Sequence, residues 1–468
     1  MQLTPYHVVC PYPDDPEQLL LFATKTGALV VLPVEVFAGL REGLVAKDAL
    51  EPLTEMGFLV SDPDQERRAV YGYLTEVNRV NPNLTVALIL GMECNFACRY
   101  CFQGGQKDRA AMSDATADRL VAFIRECFRP GKKKLLLQIY GGEPLLYTKR
   151  IISLARQLKP FVEGQGAELV IDIVSNGSLI TPQVVDELNQ WGLDGIKITI
   201  DGPPENHNYF RPFKSGKPSF EIIVRNLNAV RGKTKIRLGG NYTMANYQSF
   251  PPVLDLLAAQ GLTPDTVELV NFNIVMQVRE TAAGNIYRGG CCTVNEPWLQ
   301  DAALHVREEV FKRGYMIAEL GPQPCAVEVE DAFTVHYDGS LYKCVIWAGQ
   351  KQFRIGDIWQ GIDEQYKEIH HLGHWQREEK CRKCVYLPLC FGGCRSMAYQ
   401  RDGHMANVDC KKEFLDATLK IMLAQNLKYK YGAAASNDPG LKGPALVTPI
   451  GGYNALPPEG ARGVLSPA

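Results

Sequence analysis

Between residues 84 and 275 the chain alternates between two kinds of pattern. Runs rich in apolar residues fall at 84–90 (LTVALIL), 135–140 (LLLQIY), 168–174 (ELVIDIV), 195–200 (GIKITI), 235–243 (KIRLGGNYT) and 267–275 (VELVNFNIV). Runs of that length, rich in β-branched residues, read as strands buried on both faces. Stretches with apolar positions at helical spacing lie between them, at 113–128, 148–158 and 219–230. Alternating strands and helices predict an α/β fold with a parallel sheet. Six βα units fit a partial (β/α)6 TIM barrel over 84–315 rather than a closed eight-stranded one. Chemistry is then expected at the C-terminal ends of the strands.

The flanks are patterned differently. LLLFATKTGALVVLP (19–33) reads as two strands around a Lys25-Thr26-Gly27 turn. VEVFAGLREG and KDALEPLTEMGFLV read as helices broken at Gly43 and Gly57. Residues 1–80 therefore predict a winged-helix-like leading domain, with ERRAVYGYLTEVNRV as a helical connector and Asn81-Pro82-Asn83 as the boundary. Residues 320–430 hold seven cysteines among glycine, histidine and aromatic residues with little periodicity, as a domain stapled by metal would. Residues 415–432 read as a closing helix. The 36 residues after Gly432 contain 6 Gly and 6 Pro, which predicts a disordered tail over 433–468.

Composition narrows the function. With 50 basic against 52 acidic residues there is no electrostatic footprint for nucleic acid or a membrane surface. No run approaches the roughly 18 apolar residues of a membrane span. MQLTPYHVVCPYPDDPEQ lacks the basic and apolar regions of a secretory signal, so a cytoplasmic protein is expected. Fourteen cysteines are then unlike disulfides, because that compartment is reducing. Ten of them fall in two groups with short internal spacings, which favours metal or cluster ligation. Cys10 and Cys127 stand apart and read as ordinary apolar positions.

Cys94, Cys98 and Cys101 follow the first barrel strand directly, in LIL-GMECNFACRYCFQGG. Three thiolates spaced C-x3-C-x2-C can hold three irons of a four-iron cluster and leave the fourth iron to bind something else. A structural zinc site wants four protein ligands, and no fourth Cys or His lies in the loop. With these residues the sequence resembles the radical S-adenosylmethionine (radical SAM) family, and Tyr100 matches that family's aromatic position. The resemblance continues at later strand ends. It implies that Gly141, Gly142 and Glu143 of YGGEP (140–144) meet the methionyl amino group of SAM, and that Ser175 and Asn176 of SNGS (175–178) lie near its ribose. It implies a hydroxyl from Thr199 in TIDG (199–202), and pairing of Arg211 with the SAM carboxylate. Asn208 stands where the family commonly has Asp.

The second group runs Cys325-x13-Gly339-x4-Cys344, then Cys381-x2-Cys384-x5-Cys390-x3-Cys394, then Cys410. It resembles the seven-cysteine SPASM domain, which carries auxiliary four-iron clusters; a zinc-ribbon-like module is the alternative. By resemblance Cys381, Cys384, Cys390 and Cys410 hold a distal cluster, and Cys325, Cys344 and Cys394 a nearer one. The nearer cluster is one protein ligand short. Its open iron could bind a substrate thiolate, or Cys291 or Cys292 could close it.

The resemblance, over about 84–425, implies an enzyme. A reduced cluster passes an electron to SAM, and the resulting 5′-deoxyadenosyl radical removes a substrate hydrogen. The leading domain resembles the precursor-peptide recognition element of ribosomal peptide maturases, which could take a peptide as an extra strand. The implied activity is a peptide maturase forming cysteine thioether cross-links (ranthipeptide, sactipeptide or geopeptide type). Its implied partners are the precursor peptide and a small electron donor of flavodoxin or ferredoxin type. Formylglycine formation, as in anaerobic sulfatase maturases, is the alternative, but Val345 occupies the place of that family's base, an Asp after the second SPASM cysteine. Peptide epimerisation, with Cys291 or Cys292 as hydrogen donor, is a third. A non-enzymatic cluster or zinc protein that binds peptides is a reading of another class.

Overall fold

A computed structural model of the chain describes residues 1–13, 15–277, 287, 289–291, 293–431 and 448–449. The leading domain contains β1 (Gln2–Leu3), β2 (His7–Tyr12), β3 (Asp15–Ala23), β4 (Leu29–Pro33) and β5 (Leu59–Val60). β2, β3 and β4 form an antiparallel meander, and β1 pairs with β5. One face of the meander, including Leu21, Val30 and Leu32, packs on Leu40, Ala49 and Leu53 of the helices Val34–Arg41 and Lys47–Glu55. The opposite face, including Val8, Leu20 and Phe22, packs on Leu419, Leu423 and Leu427 near the C-terminal end of the described core. Burial on both faces explains why LLLFA runs apolar without polar alternation. The helix Pro63–Tyr71 starts at Asp62, whose carboxylate accepts from the Asp64 amide at 2.8 Å, and has Pro63 in its first turn.

The barrel strands are β6 (Asn83–Ile89), β7 (Lys134–Tyr140), β8 (Glu168–Ser175), β9 (Leu193–Thr199), β10 (Lys235–Tyr242) and β11 (Val267–Ile274). They are hydrogen-bonded in chain order, and every neighbouring pair is parallel. β6 and β11 are not paired with each other, so the sheet is open and the expected partial barrel is found. The helices Asp114–Cys127, Thr148–Gly164 and Phe220–Val230 cover its outer face.

The cysteine-rich region is more regular than its sequence suggests. β12 (Ala332–Val335) pairs parallel with β6 and extends the barrel sheet. β13 (Ser340–Tyr342), β14 (Gly356–Asp357) and β15 (Gly361–Ile362) follow antiparallel. Strands of two to four residues leave no periodic signal. The closing helix spans Lys412–Asn426 and continues as a π-helical turn over Leu427–Tyr431. Of the tail expected to be disordered, Thr448–Pro449 form β16, antiparallel to β4; its other residues lie outside the described ones. No helix among the described residues is long and apolar enough to cross a membrane.

Leu419 is 1% exposed between the leading sheet and the closing helix. Truncation there removes packing that joins the first and last parts of the chain. Leu419→Ala is expected to cost about 2–5 kcal/mol, read as a lower unfolding midpoint in guanidinium.

Candidate active site

The loop after β6 carries the three predicted cysteines, and its backbone is tied on two sides. On one side the Ala97 amide donates to Pro212 and the Arg99 amide to Phe210, both at 2.9 Å, while the Lys214 amide donates to Asn95 at 2.8 Å. The Phe96 and Phe213 rings meet edge to face at 4.7 Å. Lys107 reaches back to the Phe96 carbonyl at 2.9 Å. Cys94 and Cys98 are buried and Cys101 is half-buried. Burial pushes the Cys94 thiol up and that of Cys98 up to about 11, and the neighbouring thiols add to the rise. Thiolates gathered there need nearby positive charge, which a bound cluster would supply and which Lys107 and Arg211 supply in part.

On the other side lies the loop after β7. Gly142 donates to Gly91 at 3.3 Å and Glu143 to Glu93 at 2.8 Å. A Cβ on Gly142 would lie 2.1 Å from the Glu93 carbonyl oxygen, so only glycine fits. Gly141 has φ +125°, which also requires glycine. Glu143 is fully buried. Its carboxylate accepts from the Leu145 amide at 3.0 Å, the Ser175 hydroxyl at 2.8 Å and the Asn176 amide at 2.8 Å. Burial raises the carboxyl above its ordinary range, and these donors oppose the rise. Asn176 donates to Asn95 at 2.8 Å and points its amide at the Cys94 sulfur at 4.0 Å. Ser175, Asn176 and Glu143 thus form one unit with the cysteine loop. Asn95, which sequence reasoning missed, is its fourth member.

A second unit surrounds Tyr100. Its hydroxyl donates to Asp201 and accepts from Arg211 at 2.8 Å and from the Asn241 side chain at 3.1 Å. Asp201 is fully buried and also accepts from the Asn241 amide at 2.8 Å. Arg211 lies 4.0 Å from Asp201, and its Nε is buried without a partner. That orphaned donor fits the expected pairing with a ligand carboxylate. Thr199 closes β9 opposite Gly239 and is half-buried. Asn208 accepts from the Ser219 and Phe220 amides at 2.8 and 3.0 Å, the first donors of the following helix. A neutral amide oxygen does this as well as a carboxylate, which accounts for Asn in place of Asp. Asp201 and His207 sit inside motifs visible in the sequence, whereas Asn241 had no local signal.

The seven later cysteines separate in space. Cys344 is close enough to Cys325 and Cys394 for their charges to raise its thiol further, burial being the main cause. Burial lifts the Cys381 thiol to about 12, and Cys390, Cys384 and Cys410 contribute. The trio's Cys325 and Cys344 pack against the buried cluster of Ile89, Met92 and Trp347, as do Tyr140, Met276 and Phe102. Three of the other four, Cys381, Cys384 and Cys410, pack with Tyr6, Val70 and Leu74 of the leading domain. Cys291 is buried beside Tyr242, and Cys292 lies outside the described residues. Among the described residues no three His, Cys, Asp or Glu donors converge tightly enough to hold one bare ion. A four-iron cluster, with its own sulfides between the irons, accommodates wider thiol spacing.

A partial barrel with three thiols after its first strand and anchored carboxylate and guanidinium groups at later strand ends defines a cluster-dependent enzyme class. The profile of the radical SAM superfamily matches residues 88–257. The AdoMet-dependent heme synthase of Methanosarcina barkeri is 31% identical over 352 residues, 68% of this chain and 93% of its own. The serine-type anaerobic sulfatase-maturating enzyme of Bacteroides thetaiotaomicron is 20% identical over 351 residues, 67% of this chain and 82% of its own. The crystal structure of Streptococcus suis SuiB bound to precursor peptide SuiA shares the fold at 13% identity, with TM-score 0.51, covering 87% of this chain and 98% of that one. The chain belongs to the radical SAM superfamily, whose enzymes use a four-iron cluster and SAM.

Two outcomes follow from this geometry. Gly142→Ala should lower reductive SAM cleavage at least ~100-fold, because displacing the cysteine loop by an ångström is enough for such a loss. His207 accepts from the Asp201 amide at 3.1 Å and contacts Ser219 at 3.0 Å; burial holds its pKa well below the usual range. The unfolded chain therefore binds this proton first. The stability tied to the neutral ring is complete above about pH 6.5 and is lost as pH falls below it. Thermal midpoints measured from pH 7.5 down to 5.5 should decline, and less steeply in His207→Asn.

Proposed function

We propose that this radical SAM enzyme acts on a ribosomally made peptide and joins a peptide cysteine to a carbon of another residue. The observation that carries the peptide reading is β4 of the leading sheet, an uncharged apolar strand whose side away from β3 pairs with an extended segment, here β16. The SuiB structure with its bound precursor peptide supports it, since that likeness extends over 87% of this chain. The heme-synthase relative is more identical but matches only 68% of the chain. Against formylglycine formation, Val345 is a buried apolar residue opening the turn after Cys344, and it cannot serve as a base.

In this reading Cys94, Cys98 and Cys101 hold the catalytic cluster, with Arg211 and the Gly141–Glu143 loop positioning SAM. When bound, that pair supplies a carbon-centred radical that removes one hydrogen atom from the substrate. Thioether formation also releases the thiol proton and one electron. Cys325, Cys344 and Cys394, and separately Cys381, Cys384, Cys390 and Cys410, would hold two auxiliary clusters that accept that electron or bind the substrate sulfur. A small flavodoxin- or ferredoxin-type protein would supply the initiating electron.

Anaerobically reconstituted protein is expected to hold about twelve irons, the content of three four-iron clusters. About four irons with one or two zincs would remove the electron-accepting role. With a co-expressed cysteine-containing precursor, mass analysis should show loss of two hydrogens per event and a cysteine that no longer alkylates. A carbonyl-reactive product would instead indicate formylglycine, and an unchanged mass with solvent deuterium incorporated would indicate epimerisation.

A further inference from the structure

The two edges of the leading sheet are treated differently. β2 carries Pro11, and its pairing with β3 is irregular between Pro11 and Tyr12. Proline and a bulge both discourage a further strand. β4 reads LVVLP, with no charge and a proline only at its last position. An apolar edge of this kind invites a partner strand. In this structure the chain supplies one itself: β16 pairs Thr448 with Val31 and Pro449 with Val30.

The register is informative. Proline has no N–H, so Pro449 and Val30 cannot be the pair that exchanges two backbone bonds. In an antiparallel ladder such pairs alternate, which makes Thr448 and Val31 the exchanging pair. Val31 then turns its N–H and C=O outward to the tail, while Val30 turns toward Leu21 of β3, its partner there. The tail can reach this edge. Leu427 packs against the same sheet, and the 16 residues between Tyr431 and Thr448 could span roughly 50 Å. Tethering also gives the segment an effective concentration on the order of millimolar.

We propose that the segment around Thr448–Pro449 is an internal ligand of the β4 edge, occupying in cis the strand position at which a substrate peptide adds. Naming the displaced partner a substrate peptide rests on the maturase reading; the cis occupancy does not. An external peptide must compete with the tail, so the enzyme selects peptides that pair with β4 better than its own C-terminal segment does.

The test uses the full chain and its Thr448→Pro variant, which removes the donor that faces β4. The probe is a fluorescein-labelled peptide of residues 443–456 (GPALVTPIGGYNAL). Residue-resolved hydrogen exchange is expected to speed up at least ten-fold at the Val31 amide in Thr448→Pro, with Val30 unchanged. The labelled peptide should bind the variant at least ten-fold more tightly than the parent chain. A peptide N-methylated at Thr448 should bind neither. Equal Val31 exchange in the two chains, equal peptide affinity, or undiminished binding of the N-methyl peptide would each overturn the proposal. SAM cleavage and peptide modification, measured on the same samples, bear on the maturase reading alone, so failure of one is told apart from failure of the other.

Discussion

The Glu143 carboxylate, fully buried between two strand ends, is the interaction on which the rest of the site depends. An ionised carboxylate without solvent is costly unless its lone pairs are filled. Here three donors from residues 145, 175 and 176 fill them. Those donors belong to the segments after β7 and β8, so the carboxylate fixes two strand ends relative to each other. The loop that bears it leans on Glu93 so closely that no side chain fits at Gly142. The cysteine loop is thereby held from one side by Gly142 and Glu143 and from the other by Phe210 and Pro212. These backbone bonds fix the course of the loop that carries the three thiols.

The same economy of charge recurs at the second cysteine group. Arg211 stands near Cys98 with Asp201 as its buried counterion. Arg395 follows Cys394 directly, is 1% exposed, and pairs with buried Glu328. Glu328 also accepts from the Gly373 amide at 3.1 Å, and Arg395 donates to the His371 carbonyl at 2.8 Å. Arg395 joins two segments that carry thiols, Arg211 ties the strand end at Asp201 to the cysteine loop through Tyr100, and each places a cation beside thiols. Breaking either pair would leave an uncompensated buried charge, which is why both are built with extra hydrogen bonds. Burial alone would make thiolates unfavourable at both places; a fixed guanidinium offsets part of that cost.

The barrel was legible because each strand keeps a buried apolar face and few of its residues are exposed. Each apolar run from 84 to 275 became a strand within two residues of its expected ends. The cysteine spacings and the motifs at strand ends were legible for a related reason: they are local in sequence. What stayed hidden was long-range or very short. Asn241 reaches Tyr100 only because the sheet brings the end of β10, four strands along from β6, to the cysteine loop, and nothing near Asn241 in sequence marks it. AFTV at 332–335 is too short to read, yet it joins the cysteine-rich region to β6. The pairing of Thr448–Pro449 with β4 runs against a composition that predicts disorder, because a two-residue strand depends on the edge it finds rather than on its own propensity.

Sheet continuity gives the arrangement its functional sense. β12 lies parallel to β6, so the region bearing Cys344 is built onto the same sheet as the loop bearing Cys94, Cys98 and Cys101. Cys344 and Tyr140, the residue before Gly141, pack against the same apolar cluster; burial raises the Tyr140 hydroxyl, and charge on Asp172 and Cys344 adds to the rise. The quartet faces the other way. Cys384 packs at the edge of the cluster formed by Val8, Leu20 and Phe22, one face of the sheet that carries β4. The two cysteine groups therefore bridge the rim where hydrogen abstraction would occur and the domain whose edge takes a strand. A peptide paired to β4 would sit on a sheet whose back face rests on one group, and its modified segment would have to reach the other. In the maturase reading proposed above, a long, extended substrate suits this arrangement, because only a chain can engage both ends at once.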